Sequence, residues 1–97
     1  QMHTPNEVER MLAQRVRGLR LLAGWKQVTL AERSGVTLAS LKRFEGTGKI
    51  SLESLLRLVH ALGRLDEFDQ LLRPPAFRSL DELEARASKP MPKRGRR

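Results

Sequence analysis

The stretch QVTLAERSGVTLASLKRFE, residues 27–45, decides the fold of this chain. Its first segment, residues 27–33, carries apolar side chains at helical spacing and no helix breaker, so it predicts a short helix. Gly35 follows where a chain leaving a helix needs a left-handed residue, a conformation that costs glycine little. Thr37 is a natural N-cap for a second helix over residues 38–45, because its hydroxyl can accept a free backbone N–H. The stretch therefore predicts two short helices joined by a tight turn.

The side chains around the turn predict that the two helices meet at close quarters. Ala31 and Gly35 are small, so the helix backbones can approach each other. Val36 and Leu41 can fill the angle between the helices, and Phe44 lies three residues after Leu41 on the same helix face. This spacing is typical of a helix-turn-helix motif, whose second helix lies in the major groove of DNA.

The second helix is predicted to contact DNA through its exposed positions, which are Thr37, Leu38, Ala39, Ser40, Lys42 and Arg43. Arg43 can donate two hydrogen bonds to guanine O6 and N7, or bind a phosphate. The hydroxyl groups can bond to a base edge or a phosphate, and the apolar side chains can contact a thymine methyl group. The alternative is that Lys42 and Arg43 form only a solvated basic face.

Contacts to the DNA backbone are expected from two flanking positions. Gln27, at the start of the first helix, can donate to a phosphate together with the free backbone N–H groups there; a solvated polar residue is the alternative. Residues 46–49 are predicted to form a loop, because they contain two glycines in three positions. Thr47 and Lys49 in this loop are expected to lie against the DNA backbone.

A first helix is predicted to begin after Thr4, which can cap it, with Pro5 in the first turn and Glu7 completing a capping box. Its apolar stripe consists of Val8, Met11, Leu12, Val16, Leu19, Leu22 and Ala23. Gly24 should end this helix. Trp25 is expected to plug the core beneath it, with base stacking as the alternative. Lys26 is a poor N-cap, so the next helix has a weak start.

Ser51 is predicted to cap the fourth helix, which is expected to be the most buried element and apolar over much of its circumference. Its apolar residues are Leu52, Leu55, Leu56, Leu58, Val59 and Leu62. A fifth helix is predicted over residues 65–72, before Pro74 and Pro75. A second capping box, Ser79 to Glu82, predicts a short sixth helix that ends near Ala87.

Composition excludes several classes of protein. The chain has 97 residues, enough for one domain, and it contains no cysteine. No apolar run is long enough for a membrane span and no signal peptide is visible, so a cytoplasmic location is expected. The two histidines, His3 and His60, are far apart, and no nucleophile–base pair or carboxylate dyad has useful spacing. No enzyme activity, metal or cofactor is therefore expected.

The net charge of +8 is unevenly distributed along the chain. Residues 1–64 carry +6, residues 65–88 carry −3 and residues 89–97 carry +5. We expect a DNA-binding domain, a helical extension for dimerisation or partner contact, and a mobile basic tail in these three ranges. The tail is an alternative candidate for a minor-groove contact. The predicted dimer or partner contacts are Leu65, Phe68, Leu72, Phe77, Leu80 and Leu83.

Residues 16–62, beginning VRGLRLLAGWKQVTLAERSGV and continuing through TLASLKRFEGTGKISLESLLRLVHAL, resemble the lambda/434 repressor-like (Cro/CI, XRE-type) helix-turn-helix family. The resemblance implies an all-α domain of five to six helices and a structural ion pair between Arg20 and Glu45. It also implies a phosphate contact by Gln27. The implied base contacts are Thr37, Leu38, Ala39, Ser40 and Arg43. The chain departs from the family at Lys26, which replaces a capping residue, and at Leu38, which replaces a glutamine.

The segment LGRLDEFDQLLRPPAFRSLDELEARA and the basic tail that follows it are similar to HipB-like antitoxins, encoded beside HipA-type kinase toxins. This resemblance implies a homodimer that represses its own operon from a palindromic operator and holds a kinase toxin. A protein-interaction antitoxin that mainly neutralises a kinase-type toxin is an alternative. A stand-alone phage-type repressor is another.

Overall fold

Four α-helices and one 3₁₀ helix make up the part of the chain, residues 3–75, that the computed structural model describes. Helix α1 is Pro5–Leu22, α2 is Gln27–Ser34, α3 is Leu38–Thr47 and α4 is Leu52–Ala61. The 3₁₀ helix is Leu65–Gln70. The described chain contains no strand, so the predicted all-α class is confirmed.

The helices begin where the sequence predicts capping residues. Thr4 and Glu7 form the complete capping box, with the Glu7 N–H donating to the Thr4 hydroxyl at 3.2 Å and the Thr4 N–H donating to the Glu7 carboxylate at 3.0 Å. The Ser51 hydroxyl accepts from the Ser54 N–H at 3.1 Å. Lys26 makes no side-chain cap bond, as expected for the weaker start of α2. Local capping chemistry therefore determines these helix starts.

The core lies where the four helices meet. Helix α1 packs on α3, and α2 packs on both α3 and α4. The 3₁₀ helix contacts α4. Trp25 is half-buried against this core, as predicted, and the Arg33 guanidinium lies 4.6 Å above its ring centre. The buried apolar residues are Ala13, Val16, Leu30, Ala31, Val36, Leu41, Phe44, Leu55, Leu58 and Val59.

The predicted corner between α2 and α3 is confirmed. Gly35 ends α2 in the left-handed conformation, with φ of +77°, and its N–H donates to the Ala31 carbonyl. Val36 and Leu41 are buried in the angle between the helices, and Phe44 is buried one turn further along α3. The inner face of α3 is therefore held in the core, which leaves its outer face to solvent.

The predicted loop over residues 46–49 is wrong in part, because Gly46 and Thr47 form the last turn of α3. The left-handed stop comes at Gly48, with φ of +86°, whose N–H donates to the Phe44 carbonyl at 2.7 Å. Gly48 also lies tight against α1: a Cβ built there would sit 3.0 Å from the Glu9 carbonyl carbon. Close contact with α1 therefore decides which glycine ends the helix.

The predicted fifth helix is present as a 3₁₀ helix over Leu65–Gln70, so it ends two residues before the predicted bound at residue 72. Its first turn has no side-chain cap, and Phe68 is its one side chain packed against the core. With so little burial, packing does not extend the segment into a longer α-helix, and short 3₁₀ helices are common as connectors. Leu72 lies beyond it, with a φ of +60° and a side chain that is 92% exposed.

Apolar residues of the predicted helix stripes are not all buried. Leu22, near the end of the apolar stripe of α1, is 84% exposed. Leu52, on the helix expected to be the most buried element, is 65% exposed. Helix α4 buries one face, formed by Leu55, Leu58 and Val59, and its other apolar residues remain at least partly accessible.

The predicted contacts Phe77, Leu80 and Leu83, the helix 79–87 and the tail 89–97 lie outside the described residues.

A buried ion pair joins α1 to the end of α3. The Arg20 Nε donates to Glu45 Oε2 at 2.8 Å, and the Arg20 Nη2 donates to Glu45 Oε1 at 3.0 Å. The Arg20 Nη1 also donates to the Trp25 carbonyl at 2.8 Å. The two side chains are 7% and 4% exposed. The pair thus connects α1, the α1–α2 connection and α3.

We expect Gly48→Ala to destabilise the fold by at least about 1–2 kcal/mol, since alanine pays the left-handed penalty and its Cβ meets the α1 backbone. Gly46→Ala is the matched control. Gly46 is helical with nothing within 4 Å of an added Cβ, so this change should stabilise by about 0.5–1 kcal/mol. Urea unfolding followed by circular dichroism measures both free energies. Equal effects of the two substitutions would contradict the assignment of Gly48 as the stop.

Removing Glu45 should cost far more than removing an exposed partner. Glu45→Ala leaves the Arg20 guanidinium buried without its counter-charge, and we expect a loss of about 3–5 kcal/mol. The control is Glu53→Ala, which breaks the exposed pair with Arg57 and should cost less than about 1 kcal/mol. Thermal or urea unfolding compares them. Similar losses in the two variants would refute a structural role for the buried pair.

Candidate nucleic-acid interface

The outer face of α3 presents most of the predicted DNA-contacting residues to solvent. Thr37, Ala39, Lys42 and Arg43 are exposed, whereas Ser40 is half-buried. These side chains lie opposite the buried Leu41 and Phe44, which hold the helix in place. Because the core holds the inner face of α3, its outer side chains have a defined spacing, which a helix needs in order to bind in the major groove.

Thr37 can cap α3 and contact DNA at the same time. Its Oγ1 accepts from the Ser40 N–H at 3.1 Å, so the hydroxyl caps α3. The hydroxyl hydrogen remains available for donation to a base edge or a phosphate. The predicted polar contacts from the first turn therefore remain possible after capping.

Leu38 differs from its sequence prediction. It is half-buried and packs against the core, where it lines a shallow depression with Val28 and Val36. Leu38 lies three residues before Leu41, so it belongs to the edge of the same apolar stripe. Its exposed portion can contact a thymine methyl group, but the residue is not the fully exposed position that the sequence predicted.

Lys42 and Arg43 are the cationic centre of this face. Neither forms an ion pair with any residue between positions 3 and 75. A cation without a carboxylate partner can bind an anion with no internal pair to break. Both side chains are thus suited to contacts with phosphate or with the acceptor-rich edge of guanine.

Gln27 is connected to the buried ion pair, a contact that the sequence did not reveal. Its Nε2 donates to Glu45 Oε1 at 2.9 Å, so this oxygen accepts from both Gln27 and Arg20. A carboxylate can only accept, which identifies the Gln27 nitrogen as the atom that faces it. The second N–H of the amide stays free for donation. No sequence signal connects these residues, since they are 18 positions apart.

Thr47 and Lys49 lie just after the outer face of α3 and are held by contacts within the protein. The Thr47 hydroxyl donates to the Arg43 carbonyl at 2.8 Å and accepts from the Lys49 N–H at 3.1 Å. The Lys49 Nζ contacts Glu9 at 2.8 Å and Asn6 at 3.2 Å. These contacts are solvent-exposed, and a surface ion pair of this kind contributes about 0–1 kcal/mol. Lys49 can therefore exchange Glu9 for a phosphate at low cost.

Residues 3–75 contain neither a metal-binding cluster nor a membrane-spanning helix. No cluster of three or more histidine, aspartate or glutamate side chains in this range could hold a metal ion. None of the helices described is both long and apolar enough to cross a bilayer.

No curated protein and no solved structure matches the chain. A family model described as helix-turn-helix matches residues 16–68, more than half of the chain. This range contains α2, the glycine corner, α3 and the buried Arg20–Glu45 pair. The chain therefore belongs to the lambda repressor-like, XRE-type helix-turn-helix family of DNA-binding transcription regulators.

Proposed function

We propose that this protein is a sequence-specific repressor that inserts α3 into the major groove of double-stranded DNA. The observation that carries the proposal is the outer face of α3. This face carries Lys42 and Arg43, and neither forms an ion pair with a carboxylate of residues 3–75. The inner face of the same helix is buried. A rigid helix with unpaired cations and hydroxyl donors has the shape and charge that a major groove accepts.

The proposed contacts divide by chemistry. Arg43 donates to base edges, with Thr37 and Ser40 supplying further polar contacts and Ala39 and the exposed part of Leu38 supplying apolar ones. Gln27, Lys42, Thr47 and Lys49 contact phosphates and set the register of the protein on the duplex. So few base-edge donors leave part of the specificity to the shape and deformability of the DNA.

We propose further that the protein acts as a homodimer on a palindromic operator. Support comes from an apolar patch formed by the exposed Leu52 and Leu65 and the half-buried Leu56, on the first two turns of α4 and the start of the 3₁₀ helix. Glu53 and Arg57 line its polar rim. Leu65 is among the contacts predicted from sequence. A two-fold dimer of the usual geometry places two copies of α3 about 34 Å apart, one turn of DNA.

We propose further that the protein is an autoregulating, cytoplasmic antitoxin that represses its own operon and holds a HipA-type kinase toxin. The support is the resemblance of residues 62–97 to HipB-like antitoxins. The rival role is an antitoxin that chiefly neutralises the toxin through protein contacts. Neutralisation that survives loss of both Lys42 and Arg43 would favour the rival. A stand-alone phage-type repressor would have no such toxin partner.

Selection of bound sequences from random duplex DNA tests the proposed function. The full chain should select a palindrome with half-sites one helical turn apart. Arg43→Ala should relax base preference at one position of each half-site, a loss of about 1–3 kcal/mol in discrimination. Gln27→Ala should weaken binding to selected and random duplexes alike, because phosphate contacts carry no base information.

The matched control for these variants is Arg73→Ala, which removes the same charge as Arg43→Ala from the segment after the 3₁₀ helix, where Arg73 pairs with the exposed Asp69. Its affinity should stay close to that of the parent at physiological salt, where distant charges are screened. Equal losses on selected and random DNA for both Arg43→Ala and Gln27→Ala would contradict the division between base and phosphate contacts.

Leu52→Asp should shift the protein from dimer to monomer, because it places a charge within the proposed interface. Analytical ultracentrifugation at several concentrations measures the dissociation constant, which should rise at least tenfold. Leu21→Asp is the control, since Leu21 is 51% exposed on α1 and lies outside the patch. A Leu52→Asp protein that dimerises as tightly as the Leu21→Asp protein would exclude this surface as the interface.

A further inference from the structure

A second apolar surface lies on the opposite flank of α4 from the proposed dimer patch. Helix α1, α4 and the 3₁₀ helix line an open groove of about 630 Å³. Its wall includes Leu22, which is 84% exposed. The apolar residues that line it are Leu12, Val16, Leu19, Leu22, Leu55, Val59 and Phe68. Val16, Leu55 and Val59 are buried, so the accessible apolar surface is that of the exposed Leu22 and the half-buried Leu12, Leu19 and Phe68. Apolar surface gathered in one groove favours a covering element.

Gly18 marks the part of the groove that lies along α1. It sits within the helix, where glycine is less stable than alanine by about 0.5–1 kcal/mol. A Cβ built on Gly18 would meet nothing within 4 Å, so packing among residues 3–75 does not require the missing side chain. The absent side chain leaves space in which another segment can approach the α1 backbone closely.

The residues that follow the 3₁₀ helix in the sequence include a candidate occupant of this groove. Phe68 of that helix forms part of the wall, and the described chain continues only to position 75. Twenty-two further residues follow. Leu72 combines a left-handed φ of +60° with 92% exposure, so contacts among residues 3–75 do not repay its strain of about 1–2 kcal/mol.

Residues 79–87, SLDELEARA, match the groove in pattern, length and charge. Their capping box and the apolar positions Leu80, Leu83 and Ala87 predict a short amphipathic helix. Nine helical residues extend about 13 Å, close to the roughly 15 Å of α1 between Leu12 and Leu22. A helix this short is marginal in water by itself and needs a surface to pack on.

The charges of the two surfaces are complementary. The segment carries three acidic residues against one basic residue, whereas two arginines, Arg15 and Arg64, and one acidic residue, Glu67, line the groove. Arg64 pairs with Glu67, but Arg15 forms no ion pair with any residue from 3 to 75. An acidic amphipathic helix therefore fits this groove better than a basic one.

We propose that residues 79–87 dock as an amphipathic helix in the α1–α4 groove of their own chain, with Leu80 and Leu83 against Leu22 and the half-buried Leu12 and Leu19. Docking covers Leu22 and offsets the strain at Leu72. It also anchors the basic tail 89–97 at the groove instead of leaving it attached through a free linker. The proposal concerns the α1–α4 groove and stands whether or not α3 binds DNA.

Paramagnetic relaxation in the full-length chain tests the docking. The chain has no cysteine, so Ala85→Cys provides a unique site for a nitroxide label on the helix side opposite Leu80 and Leu83. The amide signals of Gly18 and Leu22 should lose at least half of their intensity relative to the reduced label. A labelled chain that also carries Leu80→Asp and Leu83→Asp should keep them at full intensity, with the remaining spectrum reporting an intact fold.

A mixed sample distinguishes the chain's own segment from that of a second copy. Unlabelled ¹⁵N chains are combined with nitroxide-labelled ¹⁴N chains, and broadening in this sample can arise only between molecules. Intramolecular docking predicts no loss of the Gly18 and Leu22 signals there. Broadening of equal size in the mixed sample would overturn the proposal in favour of a second copy. Absence of broadening in both samples would overturn docking altogether.

Discussion

The buried ion pair between Arg20 and Glu45 is the interaction on which the arrangement of the helices depends. Taking a guanidinium and a carboxylate out of water is costly, so each is stable in the interior only in the presence of the other. Arg20 also holds the Trp25 carbonyl, and the same carboxylate accepts from Gln27. Four segments of the chain are thereby held in one hydrogen-bonded network. The end of α3 and the start of α2 therefore have a fixed relation, which any contact of both with one duplex requires.

The small core covers only one face of each helix, so other faces of the helices stay accessible to partners. Helix α4 buries one face and leaves Leu52 exposed, while the groove between α1 and α4 leaves Leu22 of α1 exposed. Helix α3 buries Leu41 and Phe44 and presents its cations outward. A domain with few buried residues thus offers one charged face and two apolar ones. We assign these to DNA, to a second copy and to the chain's own residues 79–87.

The sequence correctly predicted those features that depend on neighbours within one helical turn. The capping box at Thr4, the cap at Ser51 and the left-handed Gly35 each involve residues at most four positions apart. It failed where distant contacts decide the outcome. Gly46 is helical because the stop is Gly48, which lies against α1, and the fifth helix ends at residue 70, before its predicted bound, because little of that segment is buried. Apolar periodicity showed which residues share a face, but not whether another element covers that face.

The sequence by itself determined the helix-turn-helix stretch, most helix boundaries and the outward position of Arg43, because hydrogen bonding and side-chain periodicity are local. The Arg20–Glu45 pair was expected only from the family resemblance, since its partners are 25 positions apart. Only the tertiary structure decided that Gln27 joins this pair, that Lys49 contacts Glu9 and that residues 3–75 leave two apolar surfaces uncovered among themselves. These contacts depend on which distant segments pack together in the folded core. The spacing of residues along the chain does not show directly which segments those are.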